Sequence, residues 1–166
     1  KYTYPLITGL KIMFKILVVE DDEFKLSSLK QFLVNSFKSV ELHEATNLYD
    51  ATIIINDITF DLILLDMSIP SHPFKVAGGT PKSLPIGGLQ VIFELKSLKR
   101  TDDCIIITQY PDIEICGSHY PTAKAEKSIF EHYNYRVLKC IQYSEGASLW
   151  KSELTKALSS YENFNS

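Results

Sequence analysis

Short apolar runs alternate along this chain with longer segments in which apolar residues recur every three or four positions. The short runs are compact and β-rich, as in strands that are buried on both faces of a sheet. They lie at 14–19, 40–44, 61–65, 104–108 and 136–143. The longer segments carry the apolar stripe of a surface helix. They lie at 23–37, in the stretch that Thr46 is expected to cap, and at 88–98, 122–133 and 147–161.

Five strands that alternate with five helices predict parallel βαβ units with right-handed crossovers. The predicted architecture is a flavodoxin-like (βα)5 fold, a three-layer α/β sandwich whose parallel sheet has the strand order 2-1-3-4-5. In such sheets, ligands bind beyond the carboxyl ends of the strands, at the point where the strand order reverses. The pattern therefore predicts a site between strands 1 and 3, formed by the residues that follow Val19 and Leu65.

Acidic residues stand at both of these places. Glu20, Asp21 and Asp22 follow the first strand, and Asp66 follows the third. Carboxylates this close cannot all remain ionised without compensation, which a hard cation such as Mg²⁺ supplies. A carboxylate beside such an ion is suited to accept a phosphoryl group. For Asp22 and Glu23 we favour another role, that of capping the next helix and interacting with its dipole.

Composition narrows the choice of function. A net charge of −3, from 17 basic and 20 acidic residues, lacks the basic excess of a nucleic-acid binder. The three cysteines are widely spaced and form no CxxC pair, so we expect reduced thiols in a cytoplasmic protein. The apolar runs are strand-sized, and we expect no association with a membrane. Residues 1–12 are interpreted as an extension or as non-native residues, and residues 13–162 as the domain.

Four stretches of the sequence resemble the receiver domains of two-component response regulators. The run from Phe14 to Asp22 resembles the first strand and acidic cluster of that CheY-like family, and Asp61 to Pro70 resembles its phosphoacceptor strand. Gly88 resembles the glycine that opens the third helix, and Thr108 the residue that ends the fourth strand. The resemblance extends over nearly the whole chain, from Met13 onwards.

This resemblance implies a set of site residues. Asp66 would be the phosphoacceptor, and a histidine kinase or phosphotransfer protein would be its donor. Mg²⁺ would be held by Asp21, Asp66 and the backbone carbonyl of Ser68, with Glu20 acting through water. Thr108 would move toward the phosphoryl group and switch the output face. The chain would not be an enzyme beyond self-phosphorylation and autodephosphorylation.

The chain departs from the family pattern in three ways. Ser71 to Ile86 form an insertion beside the phosphoacceptor, which is a lid, a partner contact or an inert excursion. Gln109 stands where the family keeps a small residue, and it is expected to narrow access to the site. The family's Lys-Pro after strand 5 is absent, so the phosphoryl-binding position falls either to Lys139 or to Tyr143, and we favour Tyr143.

Two functions remain open at this point. The first is an atypical stand-alone receiver that is phosphorylated on Asp66, with output through a downstream protein partner, phosphorelay, or a homodimer formed by the fourth helix, fifth strand and fifth helix. The second is a pseudo-receiver, a protein-interaction module that acts independently of phosphorylation. The intact acidic residues favour the first. The insertion and the missing Lys-Pro favour the second.

Overall fold

The computed structural model describes residues 13–73 and 83–165. Its centre is a parallel sheet of five strands, which are β1 (Phe14–Val19), β2 (Val40–Ala45), β3 (Leu62–Leu65), β4 (Asp103–Thr108) and β5 (Lys139–Gln142). The strands lie in the order β2-β1-β3-β4-β5, and every neighbouring pair is parallel. The predicted flavodoxin-like order 2-1-3-4-5 is therefore confirmed.

Five helices cover the two faces of this sheet. They are α1 (Glu23–Ser36), α2 (Leu48–Asp57), α3 (Gly87–Ser97), α4 (Ala125–Tyr133) and α5 (Leu149–Leu158). Because successive strand residues point to opposite faces, Ile16 and Val18 pack with α1 and α5, while Leu17 and Val19 pack with α2, α3 and α4. The result is the predicted three-layer sandwich with one hydrophobic core on each side. Within the described ranges, no helix is long and apolar enough to span a membrane.

Several predicted boundaries are wrong by a few residues. The second helix is capped by Asn47 rather than Thr46, because the Asn47 side-chain oxygen accepts a 2.9 Å hydrogen bond from the backbone N–H of Asp50. The fifth strand begins at Lys139, three residues later than predicted. In α5, Trp150, Leu154 and Leu158 are buried, which confirms the predicted stripe.

The long connection between β4 and α4 contains a hairpin that the sequence pattern did not predict. Strands Asp112–Ile115 and Ser118–Pro121 pair antiparallel. Cys116 and Gly117 form the turn with φ of 51° and 78°, and two positive values are typical of a type I′ hairpin turn. Ile113 and Ile115 are buried in the core on the side of α4. The hairpin therefore adds apolar cover to that face of the sheet.

The insertion after β3 is closed at its base. Ile69–Pro70 pairs antiparallel with Ser83–Leu84, and the hydroxyls of Ser68 and Ser83 lie 2.8 Å apart. The two ends of the insertion are therefore held together beside the end of β3. Residues 74–82 of the insertion lie outside the described residues, as do residues 1–12.

The start of α3 approaches the end of β3 so closely that only glycine fits. A Cβ on Gly88 would lie 2.4 Å from the backbone carbonyl oxygen of Asp66. The backbone N–H of Gly88 donates a 3.1 Å hydrogen bond to the carbonyl of Met67. This contact holds α3 against the loop that carries Asp66. It explains why a glycine stands at position 88, which resembles the family's glycine at the start of the third helix.

We expect Gly88→Ala to lower the free energy of unfolding by about 1–3 kcal/mol, because the added methyl meets backbone that cannot rotate away. Urea unfolding monitored by Trp150 fluorescence would measure the change. Gly87→Ala is the comparison variant: its methyl would lie 2.4 Å from Cγ1 of the buried Ile69, so it also costs free energy, but less, because that side chain can shift and the backbone at Gly88 cannot. Equal or reversed losses would contradict this account of Gly88.

Candidate phosphoacceptor and metal site

The carboxyl ends of β1 and β3 bring three predicted site residues together. Glu20 and Asp21 follow β1, and Asp66 follows β3. The backbone N–H of Asp66 donates a 2.9 Å hydrogen bond to the carbonyl of Val19, which continues the β1–β3 ladder into the site. Glu20, Asp21 and Asp66 each place a carboxylate oxygen within 4.8 Å of the other two. This arrangement is consistent with binding of a divalent cation.

Burial makes negative charge costly in this cluster. Desolvation raises the pKa of Glu20 to about 7, with the charge of Asp66 adding to the effect and that of Lys25 opposing it. Asp21 is more exposed, but partial desolvation still raises the pKa of its carboxyl group, and the charge of Asp66 again contributes. Both shifts have the sign expected where carboxylates converge before a divalent cation neutralises them. Hard oxygen ligands of this kind are the ones that Mg²⁺ prefers.

Lys25 is a member of the site that the sequence pattern missed. Its Nζ lies 2.6 Å from Oε2 of Glu20 and donates a 2.8 Å hydrogen bond to Oδ1 of Asp66. The residue is only 1% exposed. A lysine is seldom buried to this degree without carboxylate partners, so the lysine and the two carboxylates form one buried ionic group.

The first turn of α1 delivers Lys25 to this position. Asp22 is the N-cap, and its Oδ1 accepts a 2.9 Å hydrogen bond from the backbone N–H of Lys25, which confirms the capping role predicted for Asp22. Glu23 lies in the first turn, as expected. The predicted apolar stripe was wrong at Phe24, which is 79% exposed while its charged neighbour is buried. Hydrophobic periodicity could not identify this lysine.

The ends of β3 and β4 supply further groups around Asp66. The backbone N–H of Ser68 donates a 3.1 Å hydrogen bond to Oδ2 of Asp66. Thr108 is fully buried, and its hydroxyl accepts a 3.4 Å hydrogen bond from the N–H of Tyr110. Gln109 is exposed and lines an open cavity of about 490 Å³. The other lining residues are Glu20, Asp21, Asp22, Asp66, Ser68, Ser83 and Tyr110.

The register of β5 distinguishes the two candidates for its site position. Lys139 pairs with Ile105, well before the end of β4, and its Nζ lies 3.1 Å from Oε1 of Glu126 on α4. The backbone N–H of Tyr143 donates a 2.7 Å hydrogen bond to the carbonyl of Thr108, so Tyr143 lies at the site end of the sheet. Its ring centroid is 5.6 Å from Nζ of Lys25.

The fold and the acidic cluster at its switch point define an α/β domain of the receiver type. No family model matches the chain. A curated relative from Vibrio alginolyticus, the Detocs response regulatory protein DtcB, is 35% identical over 149 residues, which cover 87% of this chain and 99% of the relative. The chain therefore belongs to the response-regulator receiver family.

Solved structures agree with this assignment at the level of the fold. The phosphorylated cyanobacterial phytochrome response regulator RcpA has a TM-score of 0.58 at 22% identity, covering 93% of this chain and 99% of its own. The response regulator TrrA from Thermotoga maritima, in complex with Mg²⁺ and BeF, has a TM-score of 0.54 at 23% identity, covering 88% of this chain and 100% of its own.

We expect Asp22→Ala to lower the free energy of unfolding by about 1 kcal/mol, because it removes the cap of α1. Urea unfolding would measure the loss. Asp22→Asn is the matched control, since its amide oxygen can accept the same hydrogen bond without the charge. If the asparagine variant loses as much stability as the alanine variant, the carboxylate charge rather than the cap supports this turn.

Proposed function

We propose that this chain is a phosphoacceptor receiver domain in which Asp66 takes a phosphoryl group in a reaction that depends on Mg²⁺. The observation that carries the proposal is the position of Asp66 at the switch point, with carboxylate oxygens of Glu20 and Asp21 within 4.8 Å of its own. Neighbouring carboxylates of this kind are what a divalent cation needs in order to neutralise a transferring phosphoryl group.

The donor in this proposal is a phosphohistidine of a histidine kinase or phosphotransfer protein. A carboxylate oxygen of Asp66 attacks the phosphorus, the P–N bond breaks, and the released imidazole takes up a proton. Asp66 then carries an acyl phosphate. The Ser68 N–H, which bonds Oδ2 at 3.1 Å, holds the carboxylate in a fixed orientation for attack.

The metal in this proposal is Mg²⁺, held by Asp21, Asp66 and the backbone carbonyl of Ser68, with Glu20 acting through water. When bound, it would neutralise charge on the phosphoryl oxygens during transfer. The donor set fits the ion, because it consists of oxygen ligands and a cavity open to water.

The output in this proposal is contact with another protein. The hydroxyl of Thr108 makes only a long 3.4 Å hydrogen bond, so it can turn toward the phosphoryl group at little cost. A downstream partner, or a second copy of the chain, would respond to that change at the face formed by α4, β5 and α5. The Vibrio relative is named a response regulatory protein, and we propose a corresponding regulatory role here, in the cytoplasm.

Phosphorylation can be tested by intact-mass spectrometry after incubation with Mg²⁺ and acetyl phosphate, or with a phosphorylated histidine-containing donor protein. We expect one phosphoryl adduct that requires Mg²⁺ and is absent in Asp66→Asn. The second donor is included because Gln109 lines the cavity and can hinder a small donor. A folded wild-type protein that gains no adduct from either donor would instead support the pseudo-receiver hypothesis.

Metal binding can be tested separately by titration calorimetry with Mg²⁺ alone. We expect Asp21→Asn to raise the Kd at least about tenfold, because it removes a charged oxygen ligand. Asp57→Asn is the matched control: this exposed carboxylate ends α2, at the opposite edge of the sheet, and its loss should leave the Kd unchanged. Equal affinities for wild type and Asp21→Asn would remove Asp21 from the proposed site.

A further inference from the structure

A lysine is buried among the site carboxylates. Nζ of Lys25 contacts both Glu20 and Asp66 and is shielded from water. Removing an ammonium group from water costs free energy that close carboxylates recover only in part, so replacing a whole buried ionic group, lysine and carboxylates together, by apolar residues is often neutral or stabilising. A buried lysine at a proposed reaction centre therefore calls for a functional explanation.

The charge balance of the cluster supports such a function. Three carboxylates, of Glu20, Asp21 and Asp66, and one ammonium leave a net charge of −2, which matches a divalent cation. A phosphoryl group on Asp66 would replace one negative charge by about two. With Lys25 already counted, the metal and the ammonium together would then leave about one negative charge in excess, so the cation beside Asp66 becomes more important once the phosphoryl group is present.

The lysine of β5 does not provide this cation in the structure. Lys139 is engaged with Glu126 of α4 and pairs in the sheet with Ile105, away from the carboxyl ends of the strands. Among the residues that the structure describes, Asp66 makes one ion pair, and its partner is Lys25.

The end of β5 is adapted to the lysine of α1. Tyr143 is buried beside Thr108, and its ring faces Nζ of Lys25 at 5.6 Å. A ring face attracts an ammonium group at this distance. Tyr143 also packs against Trp150 of α5, with 5.2 Å between ring centroids. The aromatic side chain thus fills the end of β5 and supports a cation that comes from another element.

We propose that Lys25 of α1 supplies the positive charge that holds the phosphoryl group of Asp66. By the family resemblance, this role would belong to a residue at the end of strand 5. The inference rests on the proposed function and deepens it. On phosphorylation, the carboxyl group of Asp66 becomes a neutral acyl group and the negative charge moves to the phosphoryl oxygens. The ammonium of Lys25 follows that charge from Oδ1 to a phosphoryl oxygen, so that the switch acts on α1 as well.

Lys25→Met tests this role, because it removes the charge and retains most of the apolar stem. We expect the initial rate of phosphoryl uptake from acetyl phosphate, and the affinity for beryllofluoride with Mg²⁺, to fall at least about tenfold. We expect the affinity for Mg²⁺ alone to stay the same or to rise, because a competing cation has gone. A purely structural role would weaken both kinds of binding together.

Lys25→Met leaves two buried carboxylates without their partner, which favours misfolding. A second pair of variants controls for this effect. Glu20→Gln combined with Lys25→Met retains the wild-type net charge of the cluster, and Glu20→Gln alone is its reference. We expect phosphoryl uptake by the double variant to be at least about tenfold slower than by its reference. Lys139→Met is the matched lysine control, and we expect it to be phosphorylated like the wild type.

The outcomes separate the two proposals. If the wild type is phosphorylated and loss of Lys25 leaves the rate unchanged in both backgrounds, the role of Lys25 is refuted and the proposed function stands. If Lys139→Met slows uptake while Lys25→Met does not, the cation comes from β5. If the folded wild type takes up no phosphoryl group from either donor, both proposals are overturned.

Discussion

The buried ion pairs of Lys25 with Glu20 and Asp66 are the interaction on which the candidate site depends. They join the first turn of α1 to the ends of β1 and β3, with Nζ 2.6 and 2.8 Å from the two carboxylates. Carboxylates concentrated at the end of a sheet repel one another, and a buried ammonium allows them to converge before any metal arrives. The capping of α1 by Asp22 and the packing of Tyr143 both serve to place that ammonium.

Access to Asp66 is set by the segments around it. The first turn of α3 packs closely against the loop after β3 at Gly88. At the base of the insertion, the hydroxyls of Ser68 and Ser83 lie 2.8 Å apart. Gln109 lines the remaining opening. In the proposed function, a phosphoryl donor would reach Asp66 through the cavity that Ser68, Ser83 and Gln109 line.

The proposed output face, formed by α4, β5 and α5, departs further from the family pattern than the proposed acceptor site does. The hairpin of Asp112–Ile115 and Ser118–Pro121 enlarges the connection between β4 and α4, and Lys139 is paired with Glu126 on α4. Phe130 and Leu138 are partly exposed beside a cavity of about 680 Å³. The proposed acceptor site and the proposed output face are thus carried by separate parts of the chain.

The sequence by itself determined the order of the strands and the acidic residues at the carboxyl ends of β1 and β3. It could do so because strand periodicity, the handedness of crossovers and the switch-point rule can all be applied to local sequence patterns. It predicted Asp66, Asp21 and Glu20 as neighbours, and the structure brings them together. Only the tertiary structure decided that Lys25, and not Lys139, reaches Asp66. It places Tyr143, which the sequence favoured, beside Thr108 just after β5. Periodicity counts a lysine as polar and cannot know that carboxylates from two distant strands will stabilise it in the core.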